Sequence, residues 1–186
     1  MTGQMQRARS QLLVIDVQDR LLTTIDDHER VVHASERLIR YARRLDVPIT
    51  ISEQYPKGLG PTTPRLLEAA GNEAVRLDKV EFSCLANPGL AAHLGAIREK
   101  GRDQIVVAGM EAHVCVLQSV LDLLTDGYEV FLCADAIGSR AASSRELAIE
   151  RMRDAGATIV DNEMVMFEWL ERAGTPEFKE LQGLLK

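Results

Sequence analysis

DQIVVAG, residues 103–109, decides the fold: a continuous aliphatic run with a polar entry and a glycine exit. A strand covered on one face alternates apolar and polar residues, whereas a run with no polar side must be covered on both, as in the middle of a parallel sheet. Behind it, residues from about 114 to 125 are apolar on most faces and predict a buried helix. Between the two lies GMEAHVC (109–115), which puts Cys115 at the predicted helix start.

The same alternation extends outward in both directions. QLLVID (11–16) predicts a first strand, and about 28–45 a helix with Val31, Ala34, Leu38, Ala42 and Leu45 at helical spacing. PITIS (48–52) predicts a second strand, opened by Pro48, whose missing donor is tolerated at a strand's first residue. The Pro/Gly-rich loop EQYPKGLGPTTP (53–64) leads to a short helix and a weak strand near Ala74 to Leu77. NPGLAAHLGAIREKG (87–101) predicts a helix with Pro88 in its first turn and Gly101 at its end. Beyond the central pair come a strand, YEVFLCAD (128–135), a helix, SSRELAIERMRDAG (143–156), and a last strand, ATIVD (157–161). Two short helices, about 163–173 and 176–185, close the chain.

Strand–helix alternation with right-handed crossovers implies an α/β fold in three layers, a parallel sheet with helices on both faces. The 186 residues carry no internal repeat, low-complexity segment or interior linker, so residues 1–186 are read as one domain, with 1–9 as a flexible tail. Only 4% of residues are aromatic, so the core must be aliphatic. A net charge of −6 without a dense Lys/Arg run argues against nucleic acid as a partner. No apolar stretch approaches the ~20 residues of a membrane span. Three cysteines without a CxxC spacing, and no secretory leader, suit free thiols in the cytoplasm; a disulfide framework or zinc cage is not expected. No GxGxxG or Walker A loop is present, so neither a nucleotide nor another cofactor is expected.

Open parallel sheets bind ligands outside the carboxyl ends of their strands. At the start of a helix, Cys115 would meet unpaired N–H groups that favour a thiolate and could hold an oxyanion; the plain alternative is an inert buried cysteine. Asp16 ends the first strand as a general base or as a cap. Lys79, in RLDKVEFSC (76–84), either stabilises a nearby anion or is a surface charge paired with Asp78. Cys84 lies in the loop after Lys79. Cys133 reads as packing, Asp135 as turn chemistry, and His113 as pointing away from Cys115.

The ordered set DVQ (16–18), Lys79 with Phe82 three residues on, and GMEAHVCV (109–116) resembles the isochorismatase-like cysteine hydrolase superfamily. That group includes nicotinamidases, N-carbamoylsarcosine amidases and isochorismatases, and the likeness runs from LLVIDVQ (12–18) to about ATIVDNEM (157–164). The resemblance implies a six-stranded, mostly parallel, Rossmann-like sheet. It implies a triad in which Asp16 takes the proton of Cys115, Lys79 stabilises charge, and the thiolate forms an acyl-enzyme with a small amide, ureido or ester substrate. It implies a cis peptide, at Met110–Glu111 by position, and an oxyanion hole made of the Glu111 and Cys115 N–H groups. Gln18, Gln54, Tyr55 and Phe82 would line the pocket. The resemblance also implies a homo-oligomer, often a dimer or tetramer, for which Met164, Met166, Phe167, Trp169 and Leu170 either supply an interface or pack on their own sheet. The chain departs from nicotinamidases after strand two, where SEQYPKGLGPT (52–62) has no Asp-x-His segment and no metal site is expected; that loop is closest to the isochorismatase-domain-containing branch. The cysteine itself favours acyl chemistry over vinyl-ether cleavage. Two other classes stay open: a peroxide-reactive protein using Cys115 with Cys84, and a non-catalytic binding member of the fold.

Overall fold

The computed structural model describes residues 3–185. In chain order the elements are β1 (Ser10–Ile15), α1 (Asp19–Leu22), α2 (His28–Arg44), β2 (Ile49–Gln54), α3 (Pro56–Leu59), α4 (Pro64–Ala70), β3 (Val75–Lys79), α5 (Pro88–Arg98), β4 (Gln104–Met110), α6 (Leu117–Thr125), β5 (Glu129–Gly138), α7 (Ala142–Asp154), β6 (Thr158–Val160), α8 (Asn162–Leu170) and α9 (Pro176–Leu181). The strands form one sheet in the order β3-β2-β1-β4-β5-β6, with every neighbouring pair parallel. The order reverses between β1 and β4, so the crevice where such sheets bind ligands opens directly above Asp16 and the turn after Met110.

Continuous apolar strands are explained by cover on both faces. Along β1, Leu12 and Val14 pack into the layer of α2 and α8, while Leu13 and Ile15 pack against the layer that contains α5, α6 and α7. All four are fully buried, each worth about 1.5–3 kcal/mol against exposure. Register brings Ile15 beside both Ser52 and Gly109, and Gln54 beside Lys79. Gly109 has φ +121, and a Cβ there would lie 2.0 Å from the Ile15 carbonyl oxygen. Only glycine lets β4 approach β1 this closely at the head of the crevice.

Several expected boundaries move. Lys79 is the last residue of β3 and not in the loop beyond it. The helix expected from about 114 begins as a π-helical turn at Ala112–Val116, and α6 follows at Leu117. α8 stops at Leu170, where Glu171 turns with φ +62. The expected flexible tail is corrected from Gln4 onward, residues 1 and 2 lying outside the described residues. Met5 is 2% exposed and its N–H donates to the Glu168 carboxylate. The Gln6 N–H donates to Gln104 Oε1 at 2.7 Å. After a 3-10 turn at Arg7–Arg9, the Arg9 guanidinium bridges Asp103 and Glu129 at 2.7 and 2.8 Å. These are long-range contacts, to α8 and to groups at the amino ends of β4 and β5, which no local pattern in MTGQMQRARS announces.

Candidate active site

Asp16 leaves β1 in the left-handed region, φ +54, which aspartate adopts more readily than most residues. Its N–H donates to the Ser52 carbonyl at 3.0 Å, so the turn stays tied to β2. The carboxylate is fully buried: Oδ1 accepts from the Ser52 hydroxyl at 2.7 Å and Oδ2 from Lys79 Nζ at 2.6 Å. Both side chains of this ion pair are 0% exposed. Lys79 also donates to Gln54 Oε1 at 2.6 Å and to the Glu81 carbonyl at 3.2 Å, using all three of its donors. Burial opposes the ammonium charge, but the Asp16 carboxylate together with the nearby Cys115 and Cys84 sulfurs outweighs it, so the Lys79 pKa is raised and the group stays protonated.

Cys115 reaches the same cluster from β4. Its Sγ makes a long contact, 4.0 Å, with the Gln54 Oε1 that accepts from Lys79. The residue is 6% exposed. Burial, then the Asp16 carboxylate, push the thiol up to about 12, with Lys79 pulling the other way. A helix start is expected to ease ionisation; burial and the neighbouring carboxylate act in the opposite direction. The thiol is therefore neutral at rest. In the turn itself the Glu111 carbonyl accepts from Val114 and Val116 at 3.0 and 3.2 Å, passing over the Cys115 N–H between them. The Met110–Glu111 peptide is cis.

The other expected residues divide. Gln54 is part of the cluster, and its Nε2 is anchored on the Val80 carbonyl at 2.9 Å. Gln18, expected to line the pocket, is instead an enclosed strut. Its Nε2 donates to the Gln54 and Gly60 carbonyls at 3.0 and 2.6 Å, and its Oε1 accepts the Gln54 N–H at 2.8 Å, leaving the amide fully used. Tyr55 and Phe82 are each 54% exposed, on the loops after β2 and β3. Ser52, missed in the sequence, was hidden because PITIS reads as uniform strand; only its register beside Ile15 reveals the contact with Asp16. Cys84 is fully buried, its N–H donating to Ser119 Oγ at 2.9 Å, and burial pushes its thiol up to about 11. Among the described residues no group of three His, Cys, Asp or Glu side chains is arranged to hold a metal ion. No helix among them is long and apolar enough to cross a membrane. Of the apolar residues considered for an interface, Met166, Trp169 and Leu170 pack into the chain's own core, while Met164 and Phe167 are 50% and 46% exposed.

A parallel sheet with helices on both faces and its polar cluster at the β1/β4 switch point defines a three-layer α/β/α protein of the isochorismatase-like type. A solved structure from Caenorhabditis elegans, described as MAR1 ribonuclease, superposes with a TM-score of 0.91 at 35% identity, covering 98% of this chain and 92% of that one. The Isochorismatase domain model matches residues 10–164. Isochorismatase domain-containing protein 2 of Xenopus laevis is 34% identical over 183 residues, 98% of this chain and 86% of that protein. The secreted isochorismatase effector Isc1 of Phytophthora sojae is 37% identical over 180 residues, 95% of this chain and 84% of its own length. The chain belongs to the isochorismatase family of hydrolases.

Proposed function

We propose that this protein is a cysteine hydrolase that cleaves a small amide, ureido or ester substrate through an acyl-enzyme on Cys115, using only its own side chains. The observation that carries the reading is the fully buried Lys79–Asp16 pair, joined through Gln54 to a thiol held neutral. An ion pair with both side chains wholly buried is costly to desolvate, so its presence at the sheet's ligand-binding edge points to use.

In this mechanism Asp16 accepts the Cys115 proton as Sγ attacks the substrate's carbonyl carbon, which avoids a free thiolate. The oxyanion is received by the N–H groups of Glu111 and Cys115, and Lys79 remains charged throughout, compensating Asp16. As the tetrahedral species collapses, the C–N or C–O bond breaks and protonated Asp16 supplies the proton to the leaving amine or alcohol. Water, losing a proton to Asp16, then attacks the thioester; the acid departs and the proton returns to sulfur. Tyr55 and Phe82 form the rim against which the substrate's apolar part rests. Cys84 is fully buried with its N–H held by Ser119 Oγ, which makes it a poor resolving partner for peroxide chemistry. We further propose a homo-oligomeric, cytoplasmic protein, with Met164 and Phe167 at a subunit contact.

The test is a screen of small amides, ureido compounds and esters with the parent and Cys115→Ala proteins, with a short RNA as a separate arm because the worm neighbour is named a ribonuclease. Turnover of an amide or ester that vanishes in Cys115→Ala supports the reading. RNA cleavage, or any turnover, that persists undiminished in Cys115→Ala refutes the nucleophile.

A further inference from the structure

The turn that carries Cys115 is held from one side by residues outside the cluster of Asp16, Lys79 and Gln54. β4 and β5 stay paired, across a shift of register between Val107 and Gly109, as far as Met110 and Gly138, and each segment then continues past the sheet. Beyond that point two side-chain bridges join them. Arg140 donates from Nε to Glu111 Oε2 at 2.9 Å, and its own backbone N–H donates to the same oxygen at 3.3 Å. His113 Nδ1 lies 2.9 Å from Ser139 Oγ.

The anchor on the β5 side is rigid. A Cβ on Gly138 would lie 2.7 Å from Val31 Cγ2 and 2.8 Å from Ile25 Cγ2, so this strand end is pressed onto α2. The Ser139 carbonyl accepts the Asp26 N–H at 3.0 Å, fixing it from a third direction. The Glu111 side chain is only 10% exposed, whereas Arg140 is 61% exposed. An exposed arginine is ordinarily free to wander, since a surface pair yields little and costs side-chain entropy. This one reaches inward to a nearly buried carboxylate on the residue whose N–H faces the reacting carbonyl in the proposed mechanism. Among the described residues Arg140 makes the one salt bridge of Glu111, so without it a carboxylate would stand uncompensated beside a forming anion.

We infer that Arg140 is a positioning residue for the hydrolytic reaction. It locks the Glu111–Cys115 turn to the end of β5 and neutralises the Glu111 carboxylate, so that N–H groups and not negative charge face the substrate oxygen. The kinetic half of this inference rests on the acyl-enzyme reading; the mechanical half does not. Arg140 touches neither Cys115 nor Asp16 in the hydrogen-bond pattern, so its effect must travel through Glu111.

The experiment uses 4-nitrophenyl acetate as an activated-ester probe, with Arg140→Ala, Arg140→Lys, Glu111→Gln and the double variant. Losing a charge-assisted hydrogen bond that orients a reacting group lowers rate by roughly tenfold to a hundredfold. We expect Arg140→Ala to lose kcat on that scale with KM within about twofold, since the clamp acts on the transition state and not on binding. Arg140→Lys recovers part of the loss by restoring charge without the planar fork. In the Glu111→Gln background the Arg140→Ala change has little further effect, because the carboxylate it serves is gone. An Arg140→Ala loss of the same size in both backgrounds, or a loss confined to KM, overturns the inference. Amide hydrogen exchange over residues 111–116 supplies the arm that needs no turnover: Arg140→Ala accelerates it about tenfold or more if the clamp is real, and unchanged exchange overturns it. A parent protein that leaves Cys115 unacylated counts against the hydrolase reading alone, and the exchange experiment still decides the clamp.

Discussion

Two cysteine–carboxylate pairs sit on this sheet, and they have opposite characters. Cys133, on β5, donates its thiol to Asp135 Oδ1 at 3.1 Å, closer than the 4.0 Å between Cys115 Sγ and Gln54 Oε1. Asp135 is further satisfied by the backbone N–H and the Nδ2 of Asn162, each at 3.1 Å. Cys133 is fully buried among the apolar side chains of the α2/α8 layer, and burial holds its thiol well above the ordinary value. Cys115 has the looser sulfur contact but shares its cluster with a protonated lysine at the ligand-binding edge. On the proposed mechanism, proximity of thiol and carboxylate alone does not make a nucleophile. In the proposed mechanism the β1/β4 site is distinguished by the ammonium group that holds Asp16 in place and offsets part of the cost of charging sulfur.

Replacing each member of the two pairs sharpens that contrast. The largest difference is in turnover: Cys115→Ala should lower kcat/KM on a substrate found by screening by about a thousandfold or more, while Cys133→Ala leaves it within about twofold. Steady-state kinetics on both variants checks this, and equal losses would erase the distinction.

Stability separates the pairs next. Lys79→Met strands Asp16 as a buried, unpaired charge, which costs about 3–5 kcal/mol, or a Tm lower by roughly 10 °C or more in a chain of this size. Asp135→Asn keeps most of its hydrogen bonds and should cost about 1–2 kcal/mol. Thermal unfolding of the two, with Asp16→Asn/Lys79→Met recovering part of the first loss, reads the difference.

A third break is in proton affinity. The Asp16 carboxylate helps to raise the Cys115 thiol to about 12, so Asp16→Asn moves the pH profile of iodoacetamide alkylation at Cys115 to lower pH. Turnover falls in the same variant because the base is gone, so the thiol becomes easier to ionise while the enzyme becomes slower. Asp135→Asn moves neither. A Cys115 profile that shifts upward in Asp16→Asn contradicts the proposed electrostatics.

The last break lies far from both sites and leaves turnover untouched. Removing residues 1–9 uncovers the surface that Met5 covers and leaves Asp103 and Glu129 without Arg9, costing about 1–3 kcal/mol by denaturant titration with kcat unchanged.

The fold was legible where local pattern and tertiary cover agree. The aliphatic runs at 11–16, 48–52, 103–109 and 128–135 all fall on strands, because strands covered on both faces leave no polar side to confuse the period. Of the candidate site, Asp16, Lys79 and Cys115 stood out as polar residues at strand ends, and Lys79 and Asp16 do meet. Gln18 was misplaced because a glutamine beside a catalytic candidate looks the same in sequence whether it faces ligand or braces a loop. Ser52 and Arg140 were invisible for a different reason: each acts across strands, through register, and register is not written in either segment alone. The thiol's high proton affinity was misjudged because helix position is local, whereas burial is a property of the whole fold.

Rapid quenching of the parent protein during turnover of its best screened amide or ester, followed by intact mass and peptide mapping, tests the central claim most directly. The account predicts a mass gain equal to the acyl fragment, located on Cys115, that forms and decays within the turnover time and is missing in Cys115→Ala. Substrate consumed at full rate with sulfur 115 never acylated, or the adduct found on Cys84 or Cys133, would contradict it.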